Sequence, residues 1–273
     1  MSERTARDSR SGVLTEHGLL RRVNLAGLLF GVAVLALAEL SVRLFGLSSS
    51  VAAPSSAARA LVDGIADGTL SGVVATTLAT YVQGLALAVV VGVALGVAIG
   101  AHRTIEDGTS FVVEFLRPIP AVALLPLAIF WFGTGTATIR FLVAYAAVWP
   151  VLVHTVYGIR GVDRLLYDVA ATSGVTGAAR IVRVSMPAAL PSIVTGIRMS
   201  SALALVVCVT AEYFVGGQGV GDYLYDHQVA YRLDELYAAA ALTGLLGVAV
   251  DALLRGGARR VVFWSGEAQV QSR

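Results

Sequence analysis

Asp168-Val169-Ala170, then Gly174, then Pro187 are the residues whose types and spacing suggest chemistry most directly, and the chemistry is recognition rather than catalysis. They lie in a polar, helix-prone stretch between two long apolar segments. Val162, Leu165, Leu166, Val169 and Ser173 recur at helical spacing and give one apolar stripe, with Asp163, Arg164 and Asp168 off it. Gly174 and Gly177 permit a sharp turn, and Pro187 and Pro191 stand at the mouth of the next apolar segment. The pattern predicts short helix, turn, short helix. Such an element fits a groove on another protein, and its alternative is an amphipathic helix lying on a bilayer.

Catalytic chemistry finds no matching constellation. No Gly-x4-Gly-Lys-Ser/Thr phosphate loop occurs, and the chain contains no lysine to serve one. There is no His-Glu-x-x-His or Gly-x-Ser-x-Gly, and His17, His102, His154 and His227 are too dispersed for a local metal motif. We expect no catalytic residue, no metal and no cofactor in this chain. Cys208, the single cysteine, reads as packing. Gly216-Gly217-Gln218-Gly219-Val220-Gly221 follows an apolar helix instead of a strand, so it reads as a turn capping or re-entering one mouth of a bundle, not as a nucleotide fingerprint. Arg198 is the unusual charge. Roughly 15 Å into its helix, it must snorkel, pair, or face a wet cavity and an anion. Glu39 and Arg43 can pair on one helix face, since isolated charges at a helix centre cost about 2.5–3.5 kcal/mol in a bilayer.

The elements holding these residues belong in a membrane. Apolar residues make up 56% of the chain and charged ones 14%, with a mean hydropathy of +0.77. Six stretches can span a bilayer, at about 23–45, 71–100, 111–132, 138–157, 189–213 and 236–254. The fold class is therefore all-α and polytopic. Arginines cluster before the first span, between the second and third, in the 158–188 loop and after the last. The positive-inside rule thus puts both termini and the Asp168 loop in the cytoplasm. These arginines lack interleaved aromatics, which argues against a nucleic-acid surface. Arg21-Arg22 and Ala36-Leu37-Ala38 imitate a cleavable signal, but retention as a membrane helix keeps the termini on one side. We expect one domain over 21–264, with tails at 1–20 and 265–273 and an external connection over 46–70 that carries a short helix from Ala57 to Ile65. Gly84, Ala88, Gly92, Gly96 and Gly100 recur every four residues and strip one face of the second span. That face either packs tightly within the subunit or slides during transport. Pro126 and Pro150 should bend their helices.

The Asp168 loop resembles the EAA motif of permease subunits of bacterial ABC importers, with Asp168 for Glu and Val169 for Ala. Arg117-Pro118-Ile119-Pro120, the run from Pro126 to Gly135, Ala188-Ala189-Leu190-Pro191-Ser192, and Ala211-Glu212 with Gly219-Val220-Gly221 resemble the sulfonate, taurine and nitrate branch. Thr80 stands where that branch often has Arg. The resemblance covers about 23–264 and implies a core transport unit over 71–255. It also implies a second copy of the chain and a cytoplasmic ABC ATPase dimer holding ATP and Mg. An extracytoplasmic substrate-binding protein would complete the assembly, in the cytoplasmic (inner) membrane. It points to Leu165, Leu166, Asp168, Val169, Ala170, Gly174 and Pro187 as the ATPase-coupling loop. Arg198, Glu212, Gly219 and Gly221 become residues for pathway or binding-protein contact, with Asp222, Asp226, Asp234 and Glu235 nearby. Sulfonate, taurine, nitrate or bicarbonate is the implied cargo, with a thiamine-precursor pyrimidine as an alternative. An ion-gradient-driven transporter is the reading from another class.

Overall fold

The computed structural model describes residues 16–46 and 51–261. Among these residues there is no strand, and the chain is a succession of α-helices. In order they are α1 (Glu16–Leu44), α2 (Pro54–Ala66), α3 (Thr69–Ala101), α4 (Arg103–Leu116), α5 (Leu125–Phe132), α6 (Thr136–Arg160), α7 (Arg164–Thr172), α8 (Gly177–Arg180), α9 (Met186–Val215), α10 (Val220–Val229) and α11 (Leu233–Val261). A π-type turn, Ile181–Ser185, fuses α8 to α9, so Gly177–Val215 is one helical stretch of 39 residues. The expected tails lie mostly outside the described residues, although α1 already begins at Glu16.

Among the described residues, four helices are long and apolar enough to cross a bilayer: α3, α6, the α8–α9 stretch and α11. The expected span at 23–45 coincides with α1 up to Leu44, a helix that is not among these four, and the expected external helix is α2. The third expected span, 111–132, is not one straight helix. It breaks between α4 and α5 with a bend of 86°. The cause is Pro118 and Pro120, which lack backbone N–H donors and disfavour helical geometry in the residue before them. The Leu116 carbonyl at the break is met by the Tyr145 hydroxyl at 2.7 Å and by the Ile119 N–H at 3.2 Å. The break is thus satisfied internally, as a low-dielectric setting demands.

The core is α6 sandwiched between α3 and α9. Gly84, Gly92, Gly96 and Gly100 on α3 face Val143, Val151, Thr155 and Ile159 on α6. A Cβ added at Gly96 would lie 2.5 Å from Thr155 Cβ, and one at Gly84 would lie 2.6 Å from Val143 Cγ1. The stripe therefore brings two backbones of the same chain together. A second seam joins α6 to α9, where a Cβ at Gly196 would lie 2.7 Å from His154 Cβ and 2.9 Å from the Pro150 carbonyl. Across it Ser200 Oγ donates to the Ala147 carbonyl at 2.6 Å and Ser192 Oγ to the His154 carbonyl at 2.7 Å. In lipid, helices gain little by merely hiding apolar surface from water, so close backbone approach and such bonds must hold the bundle.

The connection after α1 is also tied down. The Glu39 carboxylate accepts from Arg43 Nε at 2.6 Å, from the Ser55 N–H at 3.0 Å and from Ser55 Oγ at 2.7 Å. The expected Glu39–Arg43 pair thus also anchors the start of α2.

Candidate functional site

At one end of the bundle, α7 projects between α6 and the α8–α9 stretch. Asp163 caps it, its carboxylate accepting the Leu165 N–H at 2.9 Å. Gly174 ends it with φ +71°, a left-handed conformation that L side chains rarely adopt. The Gly174 N–H then reaches the Ala171 carbonyl at 3.1 Å and the Val175 N–H reaches the Ala170 carbonyl at 2.8 Å, the paired bonds of a Schellman cap. The turn after Ala170 therefore needs glycine at 174 for a stated reason.

This geometry splits the predicted stripe. Val162 and Ala170 are buried, whereas Leu165, Leu166 and Val169 are 65%, 45% and 55% exposed. Tyr167 pins the other side of α7, its hydroxyl 3.1 Å from Ser185 Oγ and 3.4 Å from the Ile159 carbonyl, with the Arg180 guanidinium 5.1 Å from its ring. The helix is held firmly while its aliphatic face stays uncovered. Leu166, Val169, Ala170 and Pro187 line a groove of about 580 Å³ beside it. Asp168 is exposed on the same helix. Asp163 and Tyr167 are participants that the sequence reading passed over. Asp163 had a legible signal as a cap residue before a helix, and Tyr167 had none.

At the opposite end, Glu212 lies within a buried joint. It is 1% exposed, and its Oε2 accepts from Thr77 Oγ1 at 2.9 Å and from the Gly221 N–H at 3.1 Å. The Val220 N–H donates to Thr77 Oγ1 at 2.8 Å. Gly219 and Gly221 are buried with it, because a Cβ at Gly219 would lie 2.3 Å from the Glu212 carboxyl and one at Gly221 would lie 2.1 Å from the Val209 carbonyl. Glu212, Gly219 and Gly221, expected as residues for pathway or binding-protein contact, are thus brought together in one buried joint that stitches α10 onto α3 and α9. Thr77, a third strut of this joint, was missed because an isolated threonine in an apolar helix carries no spacing signal. Asp222, Asp226, Asp234 and Glu235 do lie near this end, where Glu235 pairs with Arg232 and Asp234 accepts from Ser56 Oγ at 2.6 Å. Burial raises the Tyr223 phenol above its ordinary value, and the neighbouring Glu235 carboxylate adds to the effect.

Arg198, midway along α9, does pair: its Nη2 is 3.6 Å from Asp251 Oδ1 on α11. Asp251 also binds Arg255 one turn on. Cys208 is buried against Thr77 and Glu212, consistent with packing. Among the described residues no group of His, Cys, Asp and Glu could hold a metal ion.

These features define an all-helical membrane-protein fold with a capped and pinned helix, its aliphatic face uncovered, at one end and a buried polar joint at the other. The chain belongs to the family of binding-protein-dependent transport system inner membrane components, whose profile matches residues 84–262. It is 34% identical over 156 residues to a putative ABC transporter permease of Methanocaldococcus jannaschii, covering 56% of this chain and 58% of that one. It is 34% identical over 139 residues to the putative aliphatic sulfonates transport permease SsuC of Escherichia coli, covering 51% and 53%. The taurine transport system permease TauC of the same organism is 30% identical over 159 residues, 58% of each chain. These matches span only a little over half the length of the curated relatives. The fold is shared with the MetNI methionine ABC transporter in inward-facing conformations, with a TM-score of 0.62 and 19% identity over 71% of this chain and 96% of that one.

Proposed function

We propose that this chain is the membrane-spanning subunit of an ATP-driven importer, forming the path for a small sulfonate, taurine, nitrate or bicarbonate-class solute. The observation that carries the reading is α7: a capped, pinned helix that leaves Leu165, Leu166 and Val169 uncovered at one end of the bundle. Burying what remains exposed of each such side chain in a partner's groove contributes roughly 1–2 kcal/mol, about half the value for full burial. The partner is an ABC ATPase dimer carrying ATP and Mg, and two copies of this chain sit on it in the cytoplasmic membrane. The Asp168 loop then lies in the cytoplasm. A binding protein delivers solute at the end that carries α10.

ATP closes the ATPase pair and carries the two docked helices towards one another. Because α7 is fixed to α6 through Tyr167 and to α9 through the continuous helix beyond Gly177, its displacement reaches two of the three core helices directly. ATP drives transport only to the extent that it favours one bundle arrangement over the other.

The test is uptake. A host lacking its own sulfonate importer should grow on an alkanesulfonate or taurine as sole sulfur source when it carries this chain with its ATPase and binding protein. Growth on neither, together with uptake of a thiamine-precursor pyrimidine by the same assembly, would move the substrate to the alternative class.

A further inference from the structure

Between α9 and α11 lies a partly open cleft of about 360 Å³. This volume falls in the range of small-ligand sites, roughly 300–1,000 Å³. Its walls are Ala202, Leu205, Val206, Gly244, Gly247 and Val250, and Arg198 stands beside Asp251 at its polar side. Two features of Arg198 are unresolved within the chain. Its Nε is buried with no hydrogen-bond partner. Among the described residues its one ion-pair partner is Asp251, which is shared with Arg255, so two guanidinium groups meet one carboxylate in a membrane-spanning region. A buried unpaired donor and an uncompensated positive charge are both costly in a low-dielectric setting. An anion accepting from the Arg198 fork removes both costs at once.

We propose that this cavity is a binding site for a small organic anion with a short apolar tail, the anionic head on Arg198 and the tail against Leu205, Val206 and Val250. The inference rests on the permease reading and deepens it, because it places a recognition site inside the bundle. The chemistry discriminates. An alkanesulfonate satisfies both guanidinium and apolar wall, whereas nitrate leaves the wall unfilled and an alkylammonium places like charges together. Gly244 makes the space, since a Cβ added there would meet nothing within 4 Å.

The experiment uses the full chain purified with its ATPase in neutral-lipid nanodiscs, titrated with butanesulfonate, with sodium nitrate and with butylammonium. The readout is the shift in thermal unfolding. Wild type should show a saturable stabilisation with butanesulfonate and little with the other two. Arg198→Lys, which keeps the charge and loses the fork, should weaken apparent affinity at least about tenfold, given that charge-assisted bidentate bonds are the strong ones. Gly244→Leu fills the cavity without backbone strain and should abolish the shift while the protein still unfolds cooperatively. Butanesulfonate affinity unchanged in Gly244→Leu would overturn the site. Stabilisation by phosphatidylglycerol nanodiscs, with no response to butanesulfonate, would also overturn it, by assigning Arg198 to a lipid headgroup. Loss of binding to every ATPase is a separate failure, which strikes the permease reading and not the cavity.

Discussion

Gly96→Ala measures how closely α3 and α6 approach. The new Cβ would sit 2.5 Å from Thr155 Cβ, 2.8 Å from its Cγ2 and 2.9 Å from the Leu152 carbonyl oxygen. Carbon atoms in contact prefer roughly 3.5–4.0 Å. Thr155 cannot swing aside, because its Cβ is fixed by the helix and its hydroxyl is bonded to the Val151 carbonyl at 2.7 Å. The helices must therefore separate by about 1 Å locally, and overpacking of this kind costs roughly 1–3 kcal/mol. Gly72→Ala on the same helix is the control. A Cβ there meets nothing within 4 Å, and replacing a helical glycine by alanine stabilises by up to about 1 kcal/mol. Because both changes carry the same helix-propensity gain, the two variants should differ by the overpacking cost, roughly 1–3 kcal/mol. That corresponds to about 2–12 °C in Tm for a chain of this size. Thermal unfolding followed by tryptophan fluorescence in detergent micelles reads the difference. If Gly96→Ala is as stable as Gly72→Ala, the α3–α6 seam is looser than described and the reasoning fails. Loss of transport with normal stability would instead favour a sliding face.

Three further outcomes follow from the geometry. Glu212→Ala leaves the Gly221 N–H and Thr77 hydroxyl without their acceptor, at about 1–3 kcal/mol each, and Thr77→Val added to it should cost less than the sum of the two singles. A double-mutant cycle on thermal stability checks the coupling. Gly174→Ala forces an L residue to φ +71°, so roughly 1–2 kcal/mol of local strain should raise hydrogen exchange at Val175 without unfolding the bundle. Outside the spans, the Asp67 carboxylate accepts from the Thr69 N–H at 2.9 Å and its hydroxyl at 2.7 Å, which holds its pKa below the usual carboxylate range. A lowered folded-state value means stabilisation present above about pH 3.9 and lost as pH falls through the folded pKa. Acid titration of Thr69→Val should show a smaller loss than wild type.

The legible part of this fold was the part written in periodicity. Six apolar stretches gave the all-α class, and the every-fourth-residue glycines on α3 gave a close contact whose partner, α6, only the structure supplies. The short helix and its turn were readable because Gly174 has one physical job, the left-handed residue after α7. The Pro118 and Pro120 break was misread as continuous because hydropathy runs on across it, and only the backbone count at Leu116 reveals the bend. Glu212 stood out only through the resemblance, which implied pathway or binding-protein contact, and no local spacing signalled its burial. Its burial depends on Thr77, more than a hundred residues away in sequence, on Gly219, where a Cβ would strike the carboxyl, and on Gly221, where one would strike the Val209 carbonyl. Arg198 was conspicuous as a charge within an apolar helix, but its partner Asp251 lies on another helix and no local spacing connects them.

If α7 docks an ATPase, the two proteins should co-purify through it. Wild type, Leu165→Asp and Val169→Asp would be co-expressed with a candidate ABC ATPase, extracted in mild detergent and captured through a tag on the permease. Both side chains are exposed, so neither substitution disturbs the bundle. The account predicts that wild type retains the ATPase, while each variant reaches the membrane at normal levels and loses it. Equal retention of the ATPase by all three chains would contradict the account.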